Sequence, residues 1–268
     1  MRSKGVAGIC RSGREEIYSW QVSINRPYRR STGSKGQDNT DMGKVTLTIN
    51  SQSISAETGE KLLWAALDNG IYIPHLCAVR EASAGSNGDG DRYGSAASCR
   101  LCFVEVEGRP WPVTACTEPV KEGMVVQTRS PRVDRLVQTG FELLLSAHRL
   151  DCARCPKNRA CALQKIARER KLRLKLARLQ PFARNLPVDE SHPLFTSDPN
   201  KCVLCGRCIW ACRERARVGA LGFAYRGFER RMTTFENVLL AASKCTSCGE
   251  CVRFCPVGAL FFKNRSVE

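Results

Sequence analysis

Sixteen cysteines in 268 residues are the chemistry this chain offers. Half of them fall in two identical runs. Cys202, Cys205, Cys208 and Cys212 form C-x2-C-x2-C-x3-C, and Cys245, Cys248, Cys251 and Cys255 repeat it, with Pro256 next. Closely spaced thiolates on one turn reach three corners of an iron–sulfur cubane, and the fourth cysteine of each run points at the other cluster. The spacing therefore predicts one [4Fe–4S] cluster on Cys202, Cys205, Cys208 and Cys255, and another on Cys245, Cys248, Cys251 and Cys212. A pair of zinc sites is the alternative, but zinc motifs usually set two C-x2-C knuckles across a longer spacer.

Two further sets precede these runs. Cys77, Cys99, Cys102 and Cys116 place one C-x2-C between two distant cysteines, which suits a [2Fe–2S] cluster. A four-cysteine zinc site is the competing reading. Residues 85–91, between Cys77 and Cys99, are glycine- and aspartate-rich and read as a flexible insertion. They are no phosphate cradle, because no strand–turn–helix frame surrounds them. The other set is His148, Cys152, Cys155 and Cys161, or H-x3-C-x2-C-x5-C, and by spacing alone it suits zinc as readily as iron. Cys10, His75 and His192 are left without a role.

These ligands need elements to hold them. Residues 1–41 are rich in Ser, Gly and Arg without periodicity and read as a disordered tail. From Met42 the pattern alternates through Val45, Leu47 and Ile49, which predicts a strand, a turn at Asn50-Ser51-Gln52 and a second strand. A helix is expected over 60–69, with Leu62, Leu63, Ala66 and Leu67 on one face, then strands near 103–107, 113–114 and 125–128. The period turns helical over 131–148, and a long basic helix is expected over about 158–179, stopped by Pro181. Pro187, Pro193 and Pro199 mark a linker. The expected architecture is α+β. A [2Fe–2S] ferredoxin-like β-grasp domain spans 42–130. A small helical one-histidine, three-cysteine cluster domain with the basic helix spans 131–190. A bacterial two-[4Fe–4S] ferredoxin-like domain spans 191–268.

Composition narrows the setting. No apolar run of signal-peptide length follows the early arginines, and no stretch reads as a membrane-spanning helix, so no direct membrane insertion is expected. Clustered cysteines without a secretory signal point to metal in a reducing cytoplasm rather than to disulfides. The formal net charge of +16 raises nucleic acid as a partner. Thiolate-bound clusters are anionic, however, and basic residues around them offset that charge. The basic run from Lys165 to Leu176 also carries no aromatic residue for base stacking. No nucleic-acid partner is therefore expected, and a metal-stabilised nucleic-acid binder is kept as the rival.

The order of motifs resembles a known family. A [2Fe–2S] domain, a one-histidine, three-cysteine site and a two-cluster ferredoxin module look like the N-terminal part of the large iron–sulfur subunit of respiratory complex I. They are equally similar to the small diaphorase subunit of NAD-reducing hydrogenases, and to the start of NAD-dependent formate dehydrogenases and [FeFe] hydrogenases. The likeness extends beyond the ligands. It includes Ile73-Pro74-His75-Leu76-Cys77, Cys99-Arg100-Leu101-Cys102-Phe103-Val104-Glu105-Val106, Cys161-Ala162-Leu163-Gln164, Lys201-Cys202-Val203-Leu204-Cys205-Gly206-Arg207-Cys208 and Gly219-Ala220-Leu221-Gly222-Phe223.

The resemblance implies that His148 ligates a [4Fe–4S] cluster, so the cofactors would be one [2Fe–2S] and three [4Fe–4S] clusters. It implies an electron-transfer subunit of a multi-subunit NAD(P)-linked oxidoreductase. Its partners would be a flavin-containing NAD(P)H subunit and a catalytic redox subunit of hydrogenase or formate dehydrogenase type, or a quinone-linked complex. No substrate site of its own is expected. No strand-anchored G-x-G-x-x-G occurs, and neither a molybdopterin domain nor a hydrogen-activating cysteine set follows Cys255. A self-contained oxidoreductase is the second rival.

Overall fold

Alternation builds the first sheet. In β1 (Lys44–Ile49) the side chains of Val45, Leu47 and Ile49 are buried while their neighbours face outward. Asn50 and Ser51 both take positive φ, 49° and 69°, the geometry of a two-residue hairpin turn. β2 (Gln52–Glu57) then returns antiparallel, with Ile49 opposite Gln52. The Asn50 side chain ties this turn to the end of a distant strand, donating to Thr128 Oγ1 at 2.7 Å and accepting the Thr128 N–H at 2.8 Å.

The computed structural model describes residues 43–80 and 97–263, which belong to one compact unit. The tail with Cys10 and the insertion at 85–91 lie outside the described residues. The α+β character is plain. The short helix α1 (Leu62–Asp68) buries Leu62, Leu63, Trp64, Ala65 and Ala66. β3 (Phe103–Val106), β4 (Val113–Thr114) and β5 (Val125–Gln127) complete a five-stranded sheet of order β2-β1-β5-β3-β4. β5 runs parallel to β1 and antiparallel to β3.

α2 (Pro131–Ser146) starts as its sequence dictates. Ser130 accepts the Val133 N–H at 3.1 Å, Pro131 opens the first turn and Asp134 stands near the positive helix end. Its buried stripe is Val133, Val137, Gly140, Phe141 and Leu145, of which Phe141 and Leu145 pack in one cluster with Cys99 and Leu101 of the cysteine loop. A Cβ at Gly140 would stand 2.8 Å from the Arg100 carbonyl oxygen, so glycine permits this approach.

The expected long basic helix is not formed. α3 runs only over Ala162–Arg170 and ends on Lys171 in the left-handed region at φ 54°. Beyond it the chain is an extended strap. Leu172, Leu174 and Leu176 lie half-buried against the core, while Arg173 and Lys175 face outward. A period of two cannot bury one face of a helix, but it buries one side of an extended chain. Arg178 anchors the strap by donating from Nε to Glu142 at 3.0 Å, where the carboxylate is buried on α2.

The C-terminal part repeats one device. The helical turns α4 (Arg207–Trp210) and α5 (Glu250–Phe254) each open on a glycine at positive φ, Gly206 at 78° and Gly249 at 72°. β6 (Phe195–Ser197) pairs antiparallel with β9 (Leu260–Phe262), and β7 (Leu221–Ala224) with β8 (Arg231–Thr234). After α4 the chain widens into a π-helical turn over Ala211–Arg215, which carries Cys212. Among the described residues no helix is long and apolar enough to cross a membrane.

Candidate metal centres

Cys77, Cys99, Cys102 and Cys116 are all buried. Cys77 follows the loop after α1, Cys99 and Cys102 precede β3, and Cys116 follows β4. The Cys77 and Cys99 sulfurs are 3.4 Å apart. Their mutual hydrogen bond favours a thiolate at Cys77 and pushes Cys99 upward, with burial adding to the rise at Cys99. A hydrogen bond with Cys116, and then burial, raise Cys102 in the same way.

His148 follows the last turn of α2. Its Nδ1 lies 2.9 Å from the Lys201 carbonyl, so Nδ1–H donates there and the lone pair stays on Nε2. Burial holds the imidazole below its usual pKa, which keeps it in the neutral form a metal takes. Cys152 opens a short turn, and Cys161 caps the start of α3. Burial raises the Cys161 thiol, with Cys155 and Cys152 adding to the shift. This set abuts the next. The Ala162 N–H donates to the Pro256 carbonyl at 2.9 Å, and a Cβ at Gly258 would lie 2.5 Å from Cys155 Sγ.

The last cysteine of each C-terminal run lies beside the other run. Cys212 lines one small cavity with Cys245, Cys248 and Cys251. Burial raises the Cys251 thiol to about 12, and Cys245, Cys212 and Cys248 reinforce the shift. Cys255 lies with the first run. Burial raises Cys202 to about 11 and pushes Cys205 and Cys208 higher still, and the charge of Cys255 adds to all three shifts. Backbone N–H groups already face these sulfurs, Leu204 to Cys202 at 3.4 Å, Ala220 to Cys212 at 3.2 Å and Ser247 to Cys245 at 3.4 Å.

Among the described residues, no three of His, Cys, Asp and Glu converge tightly enough to hold a single metal ion. A cluster instead spreads its thiolates over the corners of a multi-iron cage, and the donor chemistry of the sets fits such a group. Two buried guanidinium nitrogens support the fit. Arg184 Nε and Arg207 Nε find no acceptor among the described protein atoms. Arg184 acts on the Cys202 thiol and Arg207 on that of Cys205, where anionic cluster sulfides would accept them. Arg184 carries no signal in the sequence and Arg207 appears there only within the likeness of its cysteine run, because a buried position leaves no mark on spacing.

The two other histidines differ from each other. His75 bonds the Ile73 carbonyl at 2.9 Å through Nδ1 and meets the Trp64 ring edge-on, as part of its loop. His192 is buried, with Nε2 3.8 Å from Cys245 Sγ. No motif signalled that contact.

Comparison with known proteins follows these three segments. Residues 43–131 match a 2Fe-2S iron-sulfur cluster binding domain. Residues 138–173 match the NADH-ubiquinone oxidoreductase-G iron-sulfur binding region. Residues 201–259 match a 4Fe-4S dicluster domain. Subunit HndD of the NADP-reducing hydrogenase of Solidesulfovibrio fructosivorans is 35% identical over 82% of this chain and 36% of its own length. The mitochondrial 78 kDa subunit of NADH-ubiquinone oxidoreductase from Neurospora crassa is 29% identical over 91% of this chain and 31% of its own. The chain thus spans about a third of the length of these curated relatives. A chain in the crystal structure of an NAD+-reducing [NiFe]-hydrogenase in the H2-reduced state superposes with a TM-score of 0.71 at 33% identity. The alignment covers 82% of this chain and 88% of that one. By these matches the chain belongs to the iron–sulfur family shared by NAD(P)-linked hydrogenases and complex I-type oxidoreductases.

Proposed function

We propose that this chain relays electrons between a flavin-containing NAD(P)H subunit and a catalytic redox subunit, of hydrogenase or formate dehydrogenase type or within a quinone-linked complex. One [2Fe–2S] cluster is held by Cys77, Cys99, Cys102 and Cys116, and a [4Fe–4S] cluster by His148, Cys152, Cys155 and Cys161. Two more [4Fe–4S] clusters are held by Cys202, Cys205, Cys208 and Cys255, and by Cys245, Cys248, Cys251 and Cys212. Such clusters supply reversible one-electron storage. The observation that carries the reading is the adjacency of the four donor sets within one compact unit. Cys77 and Cys205 line the same groove, Cys155 touches the Gly258 backbone, and Cys251 acts on Cys208.

The protein residues do the rest. They bury or half-bury every described thiol but that of the exposed Cys248, turn backbone N–H donors to the sulfurs, set the Arg184 and Arg207 charges beside Cys202 and Cys205, and hold the His148 pKa down. The cytoplasm is the compartment that keeps such thiols reduced for assembly. The test is anaerobic purification of the native complex, followed by iron, sulfide and zinc analysis and identification of copurifying subunits. The expected result is about 14 irons per chain with matching sulfide, together with a flavin subunit. Abundant zinc with little iron overturns the reading.

A further inference from the structure

His192 sits in the proline-punctuated segment that leads into β6, and its side chain is 2% exposed. Nδ1 accepts the Leu194 backbone N–H at 3.2 Å. That bond occupies the Nδ1 lone pair, so the ring carries its proton on Nε2. Nε2 stands 3.0 Å from Ser247 Oγ and 3.8 Å from Cys245 Sγ. The ring cannot swing away. It stacks on Phe195 with centroids 3.8 Å apart, and Phe195 is locked into β6 by its pairing with Phe262.

The acceptor side is equally constrained. Ser247 adopts φ 59°, a left-handed conformation unusual for a non-glycine residue, and from it donates its backbone N–H to Cys245 Sγ at 3.4 Å. The one Nε2–H is shared, with Ser247 Oγ as its nearer acceptor and Cys245 Sγ as its second, so Cys245 Sγ faces one backbone N–H and a shared imidazole N–H. The corresponding cysteine of the first run, Cys202, receives the matching backbone bond from Leu204, at φ 54°, with the Arg184 guanidinium as its charged neighbour in place of an imidazole. The two runs share a backbone design and differ in this side chain.

We propose that His192 is a positioning residue for the cluster on Cys245, Cys248, Cys251 and Cys212: its Nε2–H holds the Cys245–Ser247 turn and donates to the Cys245 sulfur, raising the reduction potential of that cluster alone. A donor to a ligating sulfur stabilises the extra negative charge of the reduced state. This inference rests on the ligand set proposed above.

The test uses the anaerobic, fully loaded chain and electron paramagnetic resonance with redox titration. Cys245→Ser first identifies the signal of this cluster. Serine can replace the thiolate with an oxygen ligand, so the signal of this cluster is the one that is lost or shifted; if all four signals survive with unchanged midpoints and line shapes, the ligand set itself fails. His192→Phe keeps the stack on Phe195 but removes the donor, and the exposed Ser247 hydroxyl can turn to water. The expected result is full iron and sulfide content with a downward shift of that one midpoint. An unchanged midpoint at full cluster content overturns the role of His192 while leaving the ligand set intact. Where His192→Phe instead loses the cluster, wild-type protein labelled with 15N-histidine decides. Pulsed resonance should then show a weak imidazole nitrogen coupling in the signal that Cys245→Ser removes or shifts. Absence of that coupling overturns the proposal.

Discussion

At the scale of single residues, His148 is the proposed ligand that differs in kind. A neutral imidazole brings no charge to iron, whereas a thiolate brings one. His148→Cys should keep four ligands but lower the potential of that cluster, since added negative charge opposes reduction. His148→Ala should leave three cysteines and a labile or three-iron centre. The Lys201 carbonyl would then lose its donor, but the ligands of the other sets stay in place. Redox titration of each resonance signal checks both expectations. If His148→Ala leaves all four signals and midpoints as they were, His148 is no ligand.

At the scale of elements, the approach of α2 to the Cys99–Cys102 loop depends on one missing side chain. Gly140→Ala would force a methyl to within 2.8 Å of a backbone oxygen, which the packed loop cannot easily yield. We expect a cost of about 1–3 kcal/mol, concentrated at the [2Fe–2S] site. The urea concentration that bleaches the [2Fe–2S] signal should fall, while the signals of the C-terminal runs persist longer. Equal loss of all signals would mean that α2 supports the whole unit rather than this loop. The strap after α3 is the element most easily misread from sequence. Its leucine alternation was visible, but its basic composition suits a helix. The αL turn at Lys171 and the buried Glu142 that receives Arg178 decide for an extended chain.

At the scale of the whole molecule, the strap presents Arg173 and Lys175 outward, and both side chains are exposed. An acidic partner subunit is the expected cover. The double change Arg173→Glu and Lys175→Glu should weaken assembly of the native complex without removing clusters, because the inward leucines are untouched. Size-exclusion chromatography across a range of salt reads this out, and unchanged assembly would mark the strap as a solvated face. Deletion of residues 1–41 should leave iron and sulfide content unchanged, as the matched domain begins at residue 43. Loss of the [2Fe–2S] signal on truncation would contradict that.

The sequence alone determined what depends on local periodicity. Thiol spacing along one turn marked the two C-terminal runs, and the order of motifs marked the two earlier candidate sets. Two-residue alternation marked β1, the change to a helical period at Pro131 marked the start of α2, and the polar run Asn50-Ser51-Gln52 marked the turn, of which Gln52 proved to be the first residue of β2. Tertiary structure decided what depends on residues far apart in the chain. Spacing predicts the exchange of Cys212 and Cys255 between runs, but which residues surround them is not written in it. That Lys201 orients His148, that Gly258 clears Cys155, and that His192 faces Cys245 across 53 residues all arise from packing between distant segments. Such contacts carry no period, because a buried donor is chosen by the one sulfur it meets and not by its neighbours in the chain.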